Sequence, residues 1–279
     1  MGLRRVLQAR CWLPRTEGVI RLGFARRGER SHIDVLHQRG AARVRFPRPA
    51  AGGGIEAVLV NTAGGLTGGD RMQVAVALSD GSEATLTSAA AEKIYRARDE
   101  QPAIILVNLA IAAGARLSWL PQPTIVFNGA RLDRRTEVWL GRDGCLLATE
   151  LIVFGRAAMG EEVVRGAVRD VWRVRREGAL IFAETFRLEG AIAAALQRKA
   201  TLAGARAMAL LVYVAPDAAN RRGEAQERVQ RIAGVAGASA WNGLLVVRAV
   251  AKDASTLQRD VAALIEWLSA RPLPRVWRC

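Results

Sequence analysis

Apolar and polar residues alternate with a period of two along much of the stretch from Met72 to Leu188, the signature of half-buried strands. In Met72–Ser79, Val74, Val76 and Leu78 share a face, and in Glu83–Ser88, Ala84 and Leu86 do. Asp80-Gly81 between them is a favoured two-residue hairpin turn, so the two runs are expected to pair. Ile104–Ala110, Ala115–Leu120, Thr124–Phe127, Arg131–Leu140 and Cys145–Phe154 continue the series, with breaks at Ala113-Gly114 and Pro121-Gln122-Pro123 and a second Asp-Gly hairpin turn at Asp143-Gly144. A third hairpin joins Asp170–Arg176 to Ala179–Leu188 across Glu177-Gly178. Val19–Arg27 and Ser31–Phe46 read as edge strands, followed by a loop of Pro47, Pro49 and Gly52-Gly53-Gly54.

After Gly190 the pattern changes. Ala191–Arg198 suits a turn or two of helix, Ala207–Val214 an apolar strand, and Leu244–Ala251 a buried one. Asp217 is placed to cap a polar helix over 218–232. Leu257, Val261, Leu264, Ile265 and Leu268 fall at helical spacing, with Ser255 and Gln258 as a capping box and Pro272 as the stop. The expected fold is mainly β: a large layered body of mixed and antiparallel sheet, β-helix-like or sandwich-like. About two α-helices accompany it, the clearer ones near the C-terminus. No linker interrupts the chain, so residues 1–279 read as one domain, with 1–17 a poorly specified basic lead.

Within this frame, Asn61–Asp70 stands out. An apolar run enters a loop with two glycine pairs, Gly64-Gly65 and Gly68-Gly69, and leaves on Asp70-Arg71. Gly64 and Gly69 have Walker A spacing, but the Lys and Ser or Thr that should follow are Asp70 and Arg71. A carboxylate there repels a phosphate. Leu66 likewise breaks the dinucleotide pattern, so nucleotide binding is disfavoured.

Forty-one Lys and Arg against 26 Asp and Glu give a net charge of +15. That excess points to an acidic partner, nucleic acid or protein, or else to a compositional preference for Arg and a solvated basic surface. Aromatic residues are only 5%, which leaves no stacking platform for single strands. Cys11, Cys145 and Cys279 are far apart and odd in number, which fits a reducing compartment. No run approaches the ~18 apolar residues of a membrane helix, and a cytoplasmic protein with no membrane contact is expected.

Candidate chemistry rests on oxygen. His32 and His37, five apart, are not expected to share a strand or helix face, so a His-His metal pair is disfavoured. Neither Ser88 nor Cys145 has a nucleophile's sequence context. Asp70, Glu92, Glu150 (in L-L-A-T-E-L-I-V-F), Glu161-Glu162 and Glu184 remain. A carboxylate inside an apolar run must be paired, hydrogen-bonded or functional, because burying it alone is costly. An ion pair with one of the many arginines is the simplest account of each. Oxygen ligands alone hold a borderline divalent ion weakly, which suits passing it on better than storing it.

Four ordered blocks then carry a resemblance: N-T-A-G-G-L-T-G-G-D (61–70), T-S-A-A-A-E-K-I-Y-R (87–96), W-L-P-Q-P-T-I-V-F-N-G-A-R (119–131) and E-L-I-V-F-G-R-A-A-M-G-E (150–161). F-A-E-T-F-R-L-E-G (182–190) extends them. Together they closely resemble the urease accessory protein UreD family, also called UreH. The resemblance implies a non-enzymatic maturation chaperone that binds urease apoprotein, UreF and the GTPase UreG, with no tightly bound cofactor. It also implies a polar passage through which nickel travels to the urease metallocentre. On that reading Asp70 is the leading passage residue and a weak transit ligand, followed by Glu150, Glu161, Glu184 and Thr67. Gly64, Gly65, Gly68 and Gly69 shape the loop, and Lys93, Tyr95 and Arg96 are scaffold or partner-facing residues. A basic nucleic-acid-binding β protein is the alternative, and a carboxylate acid–base hydrolase a more distant one.

Overall fold

The computed structural model describes residues 15–47, 54–156 and 159–278. Most of the basic lead, Pro49, Gly52-Gly53, Cys11 and Cys279 lie outside them. One sheet has the spatial order β2 (Arg30–Gly40), β1 (Glu17–Arg27), β5 (Arg71–Leu78), β8 (Ala103–Ile111), β11 (Arg131–Leu140), β13 (Gly166–Arg176), β14 (Ala179–Gly190). The facing sheet runs β3 (Ala42–Arg45), β4 (Ile55–Asn61), β6 (Glu83–Ser88), β9 (Arg116–Leu120), β12 (Cys145–Phe154), β15 (Ala207–Val214), β17 (Leu244–Ala251), β16 (Val235–Trp241). Two short strands, β7 (Glu92–Ile94) and β10 (Thr124–Val126), pair in parallel with each other, and β10 with β12. The result is a layered, solenoid-like body, mainly β, with helices toward the C-terminus.

The strands alternate between sheets rather than forming hairpins. β5 lies parallel to β1 and β8, whereas β6 lies parallel to β4 and β9 in the other layer. The Asp80-Gly81 and Asp143-Gly144 turns therefore fold the chain from one sheet onto the other, against the hairpin expectation. The physical reason is burial. Each strand has one apolar face, and stacking two sheets face to face covers both faces at once. Successive corners are bonded to one another: Gly81 N–H donates to Ala113 O, and Gly114 N–H to Arg142 O. Only Glu177-Gly178 closes the hairpin expected of it, between β13 and β14.

Two cores result. One fills the space between the sheets, from Ile20, Leu22 and Phe24 to Trp172 and Val212. The other packs the outer face of β12, β15 and β17 against α2 (Arg222–Val229) and α3 (Ala254–Ser269). β12 is thus covered on both faces, which explains its nearly unbroken apolar sequence. A short helix, α1 (Ile192–Gln197), and a 3-10 turn over Arg275–Trp277 complete the regular structure among the described residues. No helix among the described residues is long and apolar enough to cross a membrane.

Several local expectations are corrected. β1 is interior, flanked by β2 and β5. A bulge opposite Gly23/Phe24 sets His32 against Ala25 and His37 against Arg21, so the two histidines share a face after all. Four positions along β1 still separate them by ~13 Å. Asp217 does not cap α2 but accepts from Tyr213 Oη and Arg221 Nε. α3 is capped by Asp253, which accepts from Thr256 N, while Gln258 bonds Gln122.

The glycine loop is a clasp between β4 and the β7 segment. Leu66, fully buried, donates its N–H to Lys93 O and accepts from Tyr95 N. At Gly65 (φ +151°) an added Cβ would sit 2.4 Å from a Tyr95 ring carbon and 2.7 Å from Lys93 O. Gly65→Ala is accordingly expected to cost about 1–3 kcal/mol. Gly223→Ala, in open space within α2, should instead stabilise by ~0.5–1 kcal/mol. Thermal unfolding of the two variants checks the contrast.

Candidate functional site

Between the sheets lies a cavity of about 200 Å³ that opens beside Gly64, Ala89-Ala90 and Lys93. Its walls are apolar, with Met72 and Val74 from β5 facing Leu86 from β6 and Trp119 from β9. Glu92 stands near the mouth and accepts two bonds from Asn61 Nδ2, at 3.0 and 3.2 Å. Burial raises its pKa against the pull of Asn61 and Lys93. At the floor are Thr124, Arg134 and Glu150.

Arg134 is only 4% exposed and divides its guanidinium between two carboxylates. Nε and Nη2 grip Asp170 at 3.0 and 2.8 Å, while Nη1 donates to Glu150 Oε1 and to Thr124 Oγ1. Arg134 and Asp170 are register partners on parallel strands, and Glu150 reaches them from the opposite sheet. One cation thus serves two buried acids. Burial pushes the Glu150 carboxyl up to about 8, helped by Asp170 and opposed by Arg134. Burial also penalises the Arg134 cation, but its two acids more than reverse that and keep it charged.

Beyond this triad is a second, small cavity of about 10 Å³, the space of one water centre. Glu150 lines both cavities, and Asp170, Trp172 and Glu184 line the second. Trp172 Nε1 is buried without a hydrogen-bond partner, an orphan donor on a residue that lines this cavity. Glu184 is half-buried and pairs with the exposed Arg248, so the second cavity ends near the surface. Carboxylates therefore punctuate the space between the sheets from Glu92 through Glu150 and Asp170 to Glu184.

The sequence candidates divide. Glu150 and Glu184 meet at the second cavity, and Lys93 lies at the mouth of the first. Asp70 lines neither. It is 4% exposed, and its two oxygens accept Thr16 N and Thr67 N, both at 2.8 Å, closing the glycine loop. Thr67 Oγ1 bonds Arg96 O and Tyr95 Oη bonds Gly64 O, so both fasten the loop. Glu161 closes another turn: its burial is outweighed by bonds from Arg156 and Asn128 N–H, which lower its pKa. Arg134 and Asp170 were not read from the sequence. The signal existed, because alternation in β11 puts Arg134 on the inward face with Leu132, Thr136 and Val138. Among the described residues, no group of three His, Cys, Asp or Glu side chains is arranged to hold a metal ion.

Glu150 binds its proton more tightly in the fold than in the unfolded chain, whose carboxyl has the ordinary value of 4.5. Its contribution to stability is therefore full below that value and lost as pH rises toward 8, with a slope of at most ~1.4 kcal/mol per pH unit. Glu150→Gln should flatten the stability profile between pH 5 and 8, as measured by urea unfolding. Arg134→Met strands two buried carboxylates and is expected to cost about 3–5 kcal/mol at pH 8, less at pH 5.

The family model described as UreD urease accessory protein matches residues 16–278. The chain is 45% identical over 270 residues to the urease accessory protein UreD of Methylobacterium sp. (strain 4-46), covering 95% of each chain. It is 46% identical over 263 residues to that of Xanthobacter autotrophicus, covering 94% of this chain and 90% of the relative. With the UreD of Bradyrhizobium diazoefficiens it shares 45% identity over 266 residues, 94% of each. The chain belongs to the UreD urease accessory protein family.

Proposed function

We propose that this protein is a non-catalytic cytoplasmic chaperone of urease maturation that joins UreF and UreG in a GTP-dependent complex on urease apoprotein. It gives nickel, as cargo, a polar route between its two sheets. The observation that carries the route is that Glu150 lines both cavities, with Glu92 near the mouth of one and Glu184 beside the other. Asp70 is assigned to loop closure instead, since both of its oxygens are occupied by backbone donors.

The chemistry of such a route follows from its donors. A dication entering the first cavity meets Glu92, a carboxyl held by Asn61 whose pKa burial raises. At the floor the Arg134 guanidinium opposes the ion, and Glu150 is the acid least firmly held by it, through one Nη rather than a two-pronged grip. An ion that takes Glu150 releases its proton and leaves Arg134 neutralised by Asp170. The second cavity has room for a single water, so a fully hydrated ion does not fit. Passage therefore requires shedding water and exchanging it for Glu150 and then Glu184 oxygens, which hold a borderline ion weakly enough to release it.

The test is nickel-dependent urease activation in cells lacking only this gene and complemented with variants. Glu150→Gln and Glu184→Ala, expressed at wild-type level and retaining UreF, are expected to lower nickel per urease active site at least tenfold at limiting nickel. Asp70→Asn is expected to act through stability, with nickel delivered in proportion to the folded protein present. Normal loading by Glu150→Gln and Glu184→Ala would sink the route.

A further inference from the structure

Among the described residues, Thr136 Oγ1 and Trp172 Nε1 are buried with no hydrogen-bond partner, and both belong to the sheet that holds β11, β13 and β14. Thr136 on β11 and Glu184 on β14 are the register partners of Trp172 on its two sides. The three side chains thus form one row on the face turned toward the other layer. Thr136 and Trp172 are each only 1% exposed. Buried polar groups in folded proteins are ordinarily satisfied, and where no protein atom does so a water or a ligand does.

The second cavity, the space of one water centre, lies against this row. Trp172 and Glu184 line it from one sheet and Glu150 from the other. The hydrogen bonds of its acids leave two oxygens over. Arg134 and Thr124 both bond Glu150 at Oε1, and Arg248 gives both of its bonds to Glu184 Oε2. Arg134 occupies both oxygens of Asp170. Glu150 Oε2 and Glu184 Oε1 therefore have no partner among the described residues, and they belong to two acids on opposite layers of one small space. Ile152, Phe186, Met208 and Leu210 complete its walls and exchange no protons.

A buried water is held by about two to four polar partners, and the cavity offers enough of them. The water accepts from Trp172 Nε1–H and from the protonated Oε2 of Glu150, and it donates to Glu184 Oε1. We infer that the second cavity holds one water, fastened by Trp172, that carries the proton of Glu150 to Glu184 and from there to solvent. In the transfer the O–H bond of Glu150 breaks as one forms on the water. An O–H bond of the water breaks as one forms on Glu184, so the water is regenerated. Arg134 and Asp170 flank the donor acid, and Arg248 flanks the receiving one. Glu184 is half-buried and Arg248 exposed, so the proton passes to bulk at that end. The competing exit is the first cavity, whose apolar walls separate Glu150 from Glu92. Use of the relay during nickel transit, when an ion takes Glu150 and the proton must leave ahead of it, rests on the functional reading above.

Two measurements on the intact, metal-free chain test the relay. Crystals that diffract well enough to show ordered water are expected to place one within hydrogen-bond distance of Trp172 Nε1. Trp172→Phe, which keeps an aromatic ring but loses the donor, is expected to lack it. The infrared C=O band of the protonated Glu150 carboxyl, identified by its absence in Glu150→Gln, reports deprotonation after a pH jump across the Glu150 midpoint. Trp172→Phe and Glu184→Gln are each expected to slow the loss of that band at least tenfold. A merely structural role for either residue would lower stability and leave this rate in place. No water beside Trp172, or rates within twofold of the unsubstituted chain in both variants, overturns the relay. Slowing by Glu92→Gln and not by Glu184→Gln puts the exit in the first cavity and overturns it too. Should Trp172→Phe fail to fold, Glu184→Gln, at a half-buried position, decides the rate by itself. Neither measurement involves nickel or urease, so a failure of nickel delivery sinks the functional reading alone, and an unchanged proton rate sinks the relay alone.

Discussion

Three ionisable side chains enclosed between two β-sheets constrain this molecule more than any other feature. Arg134, Glu150 and Asp170 come from adjacent and facing strands, so the triad exists only when the layers are in register. Its members are each about 5% exposed or less, where an unpaired charge is untenable. With one cation for two acids the cluster is neutral only if one acid keeps its proton, and burial assigns that proton to Glu150. A replacement by apolar side chains of similar volume would be simpler to fold. Retaining the triad at the junction of two cavities is consistent with a use for it beyond stability.

The architecture around the triad explains how such a junction arises. A solenoid-like body stacks its strands along an axis, so the space between the layers is continuous in principle and is interrupted only where side chains fill it. Near β5 and β6 the filling is incomplete and leaves the first cavity. At β11 and β12 the charged triad closes the space, and past it Trp172 and Phe186 leave room for one water centre. The glycine loop serves this geometry indirectly. It binds β4 to the β7 segment through Leu66, and β7 carries Glu92, near the mouth.

Strand positions and the final helix were legible in the sequence because period-two and period-3.6 patterns report one-sided burial directly. Arg131–Leu140, Cys145–Phe154, Ala207–Val214 and Leu244–Ala251 appear in the structure with those same bounds. Strand partners were not legible. Asp80-Gly81 signals a tight reversal, yet nothing local says whether the chain returns beside its predecessor or on the facing layer, since that is decided by which surface remains to be covered. The site divides along similar lines. Glu150 was conspicuous as an acid in an apolar run, whereas Arg134 and Asp170 were masked by numerous neighbouring arginines and acids, although the alternation already turned both inward. Asp70 stood out because a carboxylate that ends a glycine loop looks chemically free; in the structure its oxygens accept from backbone donors three and 54 residues away.

Anomalous X-ray scattering at the nickel edge, from crystals of the intact chain equilibrated with dilute nickel, tests the route most directly. The account predicts a peak between the sheets, at Glu92 or at the second cavity beside Glu150 and Glu184, that disappears in Glu150→Gln or Glu184→Ala. Nickel found only on the exposed histidines of β2, or at Asp70, with nothing between the layers, would contradict it.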